Sequence, residues 1–126
     1  MTKIVVDASA LLALLNNEPG ADIVAEAIPN AVISTINLSE VIAKLSSAGM
    51  PEETIRFILQ PLGLNIPFAE EQAYRAGVLH ATTQGAGISL GDRACLSLAQ
   101  MLEAPVLTAD RSWVNLPINV KIKVIR

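Results

Sequence analysis

Two short apolar segments, one near each end of the chain, run directly into an aspartate. Residues 3–7 read KIVVD and residues 105–110 read PVLTAD, so Asp7 and Asp110 both follow strand-forming residues. Val and Ile favour strands, and strands without polar residues on either face are typical of parallel sheets covered by helices. We therefore predict two buried parallel strands, each with a carboxylate at its C-terminal end.

The rest of the chain alternates between strand-like and helix-like segments. Further strands are predicted at 31–35, 64–68 and 120–125, and helices at 8–16, 20–27, 37–49, 51–60, 69–84 and 89–103. Pro67 indicates an edge position for the strand that contains it, and alternating lysines indicate an edge for the last strand. Strand–helix–strand repetition requires parallel strands with right-handed crossovers. The predicted fold is α/β, one domain over residues 1–126 with about five parallel strands.

Composition excludes several classes of protein. Hydrophobic residues make up 52% of the chain and charged residues 17%, which excludes disorder. The single cysteine, Cys95, excludes an internal disulfide, and its apolar neighbours predict a buried, reduced thiol. No apolar run is long enough to cross a bilayer, and Asp7 interrupts the segment that resembles a signal peptide. We expect a cytoplasmic protein that does not associate with membranes.

The predicted topology places four acidic residues at one edge of the sheet. Asp7 and Asp110 end two strands, Glu40 lies one turn after the second strand, and Asp92 lies in the first turn of the helix from 89. The C-terminal ends of parallel strands share one edge of the sheet, and ligands bind in the crevice outside that edge. The sequence therefore predicts that all four carboxylates surround one crevice.

Each of these acids also stands where a helix or a turn needs a cap. Asp7 fits an N-cap, Asn37-x-x-Glu40 and Ser89-x-x-Asp92 have the spacing of capping boxes, and Asp110 can form a turn with Arg111. For any single acid, capping is the simpler interpretation. Capping requires neither convergence nor carboxylates, however, since Ser, Thr and Asn serve equally well.

Convergence of the acids favours a bound cation. Two carboxylates about 4 Å apart repel by roughly 4 kcal/mol at an effective dielectric constant near 20, and a cation relieves much more of this than helix dipoles do. All the candidate ligands are oxygens, and neither His80 nor Cys95 joins them by spacing, which favours Mg²⁺ or Mn²⁺ over zinc. Such ions activate water and stabilise the leaving oxygen of a phosphodiester. The formal net charge of −3 is an argument against a nucleic-acid substrate, and a bound cation weakens it.

Four blocks of sequence, in order, resemble the PIN domain family and in particular the VapC-type toxins of bacterial toxin–antitoxin pairs. The blocks are IVVDASALLALL at the start, NLSEVIAKL at 37–45, ISLGDRACLSLA at 88–99 and PVLTADRSW at 105–113. The resemblance implies a PIN-like three-layer α/β/α sandwich. It also implies a Mg²⁺- or Mn²⁺-dependent endoribonuclease that hydrolyses RNA with a metal-activated water and leaves a 5′-phosphate and a 3′-hydroxyl.

The resemblance assigns roles to the acids residue by residue. Asp7 would be the central metal ligand with Asp92 beside it, Glu40 would bind the metal or orient a water on it, and Asp110 would act through water or a second metal. Ser9 and Thr108 match positions that often carry hydroxyls near the site. They are equally well explained as ordinary helix-start and strand residues.

The resemblance also implies partners. A small antitoxin would place its C-terminal segment in the active-site groove, and the chain would form a homodimer. The apolar helices 20–27 and 51–60 are the surfaces to inspect for these contacts, although core packing explains their apolar residues nearly as well. Arg93 and Arg111, each next to an acid, are candidates for RNA contact. Lys44 is a weaker candidate because it has the spacing of an ion pair with Glu40. Trp113 can stack on a base, but packing of its own loop is the simpler interpretation.

Two other functions stay open at this stage. The chain can be a PIN nuclease with a housekeeping role in RNA processing, or a PIN-like module that binds protein without catalysis. Retention of all four acids argues against the non-catalytic alternative, because an inactive domain has no need to hold repelling charges together.

Overall fold

The computed structural model describes residues 2–126 and is built around one five-stranded sheet. The strands are β1 (Ile4–Val6), β2 (Ala31–Ser34), β3 (Asn65–Ile66), β4 (Val106–Thr108) and β5 (Ile122–Val124). Their order is β3-β2-β1-β4-β5, and all neighbouring pairs are parallel. The predicted parallel sheet is confirmed, and so are the edge positions of β3 and β5.

Six α-helices connect or flank the strands. They are α1 (Ala8–Leu15), α2 (Ala21–Ala27), α3 (Thr35–Ser47), α4 (Glu52–Leu59), α5 (Glu70–Thr82) and α6 (Leu90–Leu102), with 3₁₀ turns at Ile28–Asn30, Gln60–Leu62, Gln84–Ala86 and Arg111–Asn115. All the predicted helices are present within two residues of their expected limits. Over residues 2–126 the helices are too short or too polar to span a membrane.

The start of α3 differs from the prediction. The helix begins at Thr35 because the Ser34 side chain accepts a hydrogen bond from the backbone N–H of Ile36, at 3.3 Å, and caps it. Asn37 therefore lies inside the first turn, and the predicted Asn37–Glu40 capping box is wrong. The Asn37 side chain is instead free to bond with other elements.

Helices cover both faces of the sheet. Val6 and Ile33 pack in a cluster with residues of α1 to α4, whereas Val5 and Val32 pack in a second cluster with residues of α5 and α6. This alternation is the two-residue period of a strand buried on both sides. The three-layer α/β/α sandwich is therefore confirmed. Cys95 is fully buried in the second cluster, as predicted.

The order of the strands places a crevice between β1 and β4. From β1 in the middle, the chain adds β2 and β3 on one side and then returns to add β4 and β5 on the other. The two halves of the sheet diverge at this pair, and such a point is where open α/β sheets bind ligands. Asp7 follows β1 here, and its backbone N–H donates to the carbonyl of Leu107 in β4 at 3.1 Å.

Candidate functional site

All four acids line one cavity at the carboxyl edge of the sheet. The cavity has a volume of about 240 Å³, and its polar lining consists of Asp7, Ser9, Asn37, Glu40, Lys44, Asp92 and Asp110. A depression of about 500 Å³ beside Lys121 is larger, so size does not single out the acidic cavity. The acidic cavity is distinguished by its four carboxylates, and the predicted convergence of these acids is present in the structure.

Asp7 is the buried centre of the group. Its side chain caps α1 and is only 6% exposed. Oδ1 accepts hydrogen bonds from Ser9 Oγ at 2.7 Å and from the Ala10 N–H at 2.9 Å, and Oδ2 accepts one from Thr108 Oγ1 at 2.8 Å. Burial raises the pKa of Asp7, these three hydrogen bonds oppose the rise, and the negative charge of Asp92 adds to it. The carboxylate is held in a fixed orientation, and its charge is only partly compensated by the protein.

The hydroxyls of Ser9 and Thr108 connect Asp7 to the end of β4. Ser9 Oγ accepts from the N–H of Ala109 at 2.9 Å, and Thr108 Oγ1 accepts from the N–H of Asp110 at 3.0 Å, while both donate to Asp7. Each hydroxyl therefore uses its donor on the carboxylate and an acceptor lone pair on the backbone. Both residues lie next to the acids, where the resemblance located them.

Asp92 and Asp110 are capping residues as well as cavity residues. Asp92 Oδ2 accepts from the Ser89 N–H at 3.0 Å, and Ser89 Oγ accepts from the Asp92 N–H at 3.2 Å, which confirms the predicted capping box. Asp110 Oδ1 accepts from both the N–H and the Oγ of Ser112, so its turn is closed by Ser112 and not by Arg111 as predicted. Within residues 2–126, neither Asp92 Oδ1 nor Asp110 Oδ2 has a hydrogen-bond partner.

Glu40 extends from α3 toward the start of α6. Its Oε1 accepts a hydrogen bond from Asn37 Nδ2 at 2.9 Å, and Oε2 has no partner among the residues that the structure describes. Capping and convergence are therefore compatible: Glu40, Asp92 and Asp110 each bond through one oxygen and leave the other available.

The donor set fits a hydrated, oxygen-binding cation. No three His, Cys, Asp or Glu side chains between residues 2 and 126 lie close enough together to bind one ion as a group. Mg²⁺ usually keeps several waters and uses only one or two protein carboxylates directly, so a site for it does not require three such side chains in contact with the ion. The buried Asn37 Oδ1 has no hydrogen-bond partner over residues 2–126 and offers an acceptor for such a water. The oxygen-only set does not fit a structural zinc site.

The acids of the cavity also affect Cys95 in the core. Burial raises the pKa of the Cys95 thiol well above its ordinary value, and the charges of Asp7, Asp92 and Glu40 raise it further. Cys95 therefore stays a neutral thiol and is no candidate nucleophile, because the thiolate is the reactive form.

Lys44 is the basic residue of the cavity lining. It forms no ion pair within 4.0 Å in residues 2–126, so the predicted pair with Glu40 is absent. Arg93 donates through Nη1 to the Ala76 carbonyl on α5, and Arg111 donates through Nε to the Arg126 carbonyl. Neither arginine lines the cavity, and contact of either one with RNA stays a prediction. The spacing of Lys44 to Glu40 favours a local ion pair, so the sequence alone does not predict that Lys44 lines the cavity.

Trp113 packs inside the protein. Its side chain is 1% exposed and belongs to the cluster beneath α5 and α6. The packing interpretation is therefore confirmed, and this ring is not available to stack on a base.

The fold is similar to that of solved toxin–antitoxin structures. A chain of the DNA-bound VapBC complex from Salmonella typhimurium superposes with a TM-score of 0.79 at 18% identity, covering 100% of both chains. A chain of VapBC2 from Rickettsia felis, bound to a promoter DNA fragment, superposes with a TM-score of 0.79 at 18% identity, covering 98% of both chains. A chain of a toxin–antitoxin complex from Klebsiella pneumoniae superposes with a TM-score of 0.78 at 19% identity, also covering 98% of both chains.

Sequence comparison identifies the family. None of the curated proteins is significantly similar to the chain in sequence. The family model of the PIN domain matches residues 4–119, which is nearly the whole chain and includes all four acids of the cavity. The chain therefore belongs to the PIN domain family.

Proposed function

We propose that the chain is a Mg²⁺- or Mn²⁺-dependent endoribonuclease and the toxin of a VapBC-type toxin–antitoxin pair. PIN domains are generally nucleases, which supports hydrolysis of nucleic acid. The observation that carries the proposal is the arrangement of Asp7, Glu40, Asp92 and Asp110 around one cavity at the point where the sheet diverges. A purely structural role for these acids does not require that they share a cavity.

Asp7 and Asp92 are the residues that would hold the ion, with Glu40 and Asp110 at the sides. A bound Mg²⁺ or Mn²⁺ would activate water at neutral pH and offset the charge of the phosphodiester. Asp7 cannot turn away from the cavity because three hydrogen bonds fix both of its oxygens. The negative charge of Asp7 is therefore held in a fixed position, and electrostatic catalysis requires charged groups that are preorganised in this way.

The remaining polar groups act on water and on the RNA backbone. The Glu40 Oε2 atom has no hydrogen-bond partner among the described residues and is therefore available to accept a hydrogen bond, or a proton, from the attacking water. Lys44 supplies positive charge at the cavity, where it would contact a phosphate next to the cleaved bond. We expect a 5′-phosphate and a 3′-hydroxyl as products.

The proposed partner is a small antitoxin, in a complex built on a homodimer of this chain. Three of the solved structures with a similar fold are toxin–antitoxin complexes, and two of these three are bound to DNA. An apolar groove of about 250 Å³ lies between α1, α3 and α4, and residues of α1 and α3 also line the acidic cavity. The apolar lining of the groove includes Leu38, Ile42, Ile55 and Leu59. An apolar segment of the antitoxin would fit this groove, with its C-terminal end in the cavity.

The test is cleavage of an RNA library of randomised sequence by the purified chain, with Mn²⁺ and after treatment with EDTA. We expect Asp7→Asn and Asp92→Asn to lower the cleavage rate at least about 100-fold, within the range for loss of a group that stabilises developing charge. Asp22→Asn on the exposed side of α2 is the matched control and should leave the rate unchanged. Full activity in Asp7→Asn, or in EDTA, would exclude the proposed mechanism.

The toxin role has a separate test. Induced expression in a bacterial host should arrest growth, and Asp92→Asn should relieve the arrest at equal expression. A chain that cleaves RNA but leaves growth unchanged would indicate a housekeeping nuclease instead.

A further inference from the structure

Asn37 joins the helix that carries Glu40 to the helix that carries Asp92. Its side chain is 2% exposed, and Nδ2 donates both to Glu40 Oε1 and to the backbone carbonyl of Gly91, each at 2.9 Å. Both partners are acceptors, so only the orientation with the amide nitrogen toward them satisfies the contacts. The amide therefore fixes the Glu40 carboxylate at the first turn of α6, next to Asp92.

Gly91 provides the space for this arrangement. A Cβ atom added at Gly91 would lie 2.7 Å from Glu40 Cδ and from Oε1, and closer still to Oε2. These atoms are the end of a flexible side chain, so an alanine here would displace the Glu40 carboxylate and leave the backbone in place. Glu40 therefore occupies its position because residue 91 has no side chain.

The second polar atom of Asn37 forms no hydrogen bond with residues 2–126. Oδ1 is buried and has no partner in this part of the chain, although Asn37 lines the acidic cavity. A buried acceptor without a donor is unfavourable, and the neighbouring carboxylates have no hydrogens to offer when ionised. The cavity therefore presents an acceptor that suits the hydrogens of a water held among the acids.

We propose that Asn37 is a positioning residue of this site: its amide nitrogen holds Glu40 over Gly91, and its carbonyl oxygen orients a water in the cavity. The inference rests on the proposed nuclease function. Residues that orient metal ligands from behind typically change metal affinity or activity by 10- to 100-fold when removed. Neither the capping of a helix nor the packing of α3 on α6 requires a bond from Asn37 to Glu40.

Two variants separate this role from a structural one. Asn37→Ala removes both functions of the amide, and Ser97→Ala is its control, because Ser97 loses a buried hydrogen bond on α6 without lining the cavity. Gly91→Ala keeps Asn37 and displaces only Glu40. Its control is Gly77→Ala on α5, where an added Cβ meets nothing within 4 Å.

The experiment measures Mn²⁺ affinity by calorimetry and cleavage of the randomised RNA library, with the melting temperature as a check of folding. We expect Asn37→Ala and Gly91→Ala to raise the Mn²⁺ Kd about 10- to 100-fold and to lower kcat with KM changed less than about threefold. Both controls should match the wild type in Kd and kcat. A structural role alone would lower the melting temperature without this split between kcat and KM.

Three results would overturn the inference. It fails if the wild type binds Mn²⁺ and cleaves RNA while folded Asn37→Ala matches it within about twofold. If Asn37→Ala does not fold, the same criterion applies to Gly91→Ala. If the wild type binds no Mn²⁺, the proposed function fails, and the role of Asn37 fails with it.

Discussion

Asp7 and Thr108 meet across two neighbouring strands. The Thr108 hydroxyl donates to Asp7 Oδ2 at 2.8 Å and accepts from the N–H of Asp110 at 3.0 Å. One hydroxyl therefore connects the acid that ends β1 with the backbone of the acid that follows β4. Because Thr108 is completely buried, water cannot replace it in this role.

Replacement of Thr108 by valine should destabilise the chain by about 1–3 kcal/mol, since both Asp7 Oδ2 and the Asp110 N–H lose a buried partner. Thr108→Ser keeps the hydroxyl and should recover most of the lost stability. Denaturant unfolding of the two variants measures the difference. A valine variant as stable as the wild type would show that the hydroxyl contributes nothing to stability, because valine keeps the size of the side chain and removes only the hydroxyl.

Asp7→Asn should make the metal-free chain more stable at neutral pH. Burial raises the pKa of Asp7 in the folded state. The protonated carboxyl therefore contributes to the free energy of unfolding at low pH, and this contribution is lost as pH rises through the folded-state pKa. Asparagine caps helices as well as aspartate does and carries no charge to bury. Its Nδ2 can donate to Thr108 Oγ1, whose own hydrogen can then turn to Ser9 Oγ at 3.4 Å. The stability of Asp7→Asn relative to wild type should therefore increase as pH rises from the ordinary aspartate pKa of 3.8 to the raised folded-state pKa, and should level off above it.

Denaturant unfolding in EDTA at several pH values checks the Asp7 prediction. A difference that is independent of pH, or an asparagine variant that is less stable at neutral pH, would show that capping outweighs the cost of the buried charge.

Lys44→Ala should weaken RNA binding more than it slows the chemical step. We expect KM to rise about threefold to tenfold with little change in kcat, and the slope of log K against log salt to fall by about one. Lys123→Ala, on the exposed face of the edge strand β5, is the control. The opposite ranking, with Lys123 more important than Lys44, would place the RNA away from the acidic cavity.

Local sequence was sufficient to predict most of the fold. The apolar segments that end in Asp7 and Asp110 became adjacent strands, and Ser89-x-x-Asp92 formed the expected capping box. These features depend on propensity and on contacts within one turn, which are local properties. The start of α3 was missed because Thr35 continues a β-branched run, and the cap at Ser34 has to compete with that run.

The sequence predicts the parts of the site whose positions depend on the backbone alone. Strand ends and helix starts place the four acids, so their convergence followed from topology. The direction of a long side chain depends on tertiary neighbours: Lys44 lines the cavity, whereas Arg93 bonds to α5. The contact between Asn37 and α6 was also not predictable, because its acceptor, the Gly91 carbonyl, is 54 residues away in sequence.

Equilibrium dialysis with Mn²⁺ tests most directly the claim that these carboxylates hold a divalent cation. The wild-type chain should retain at least one Mn²⁺ per molecule, Asp7→Asn and Asp92→Asn should retain none at the same free concentration, and Asp22→Asn should match the wild type. Equal retention by the wild type and both site variants, or none by the wild type, would contradict the account.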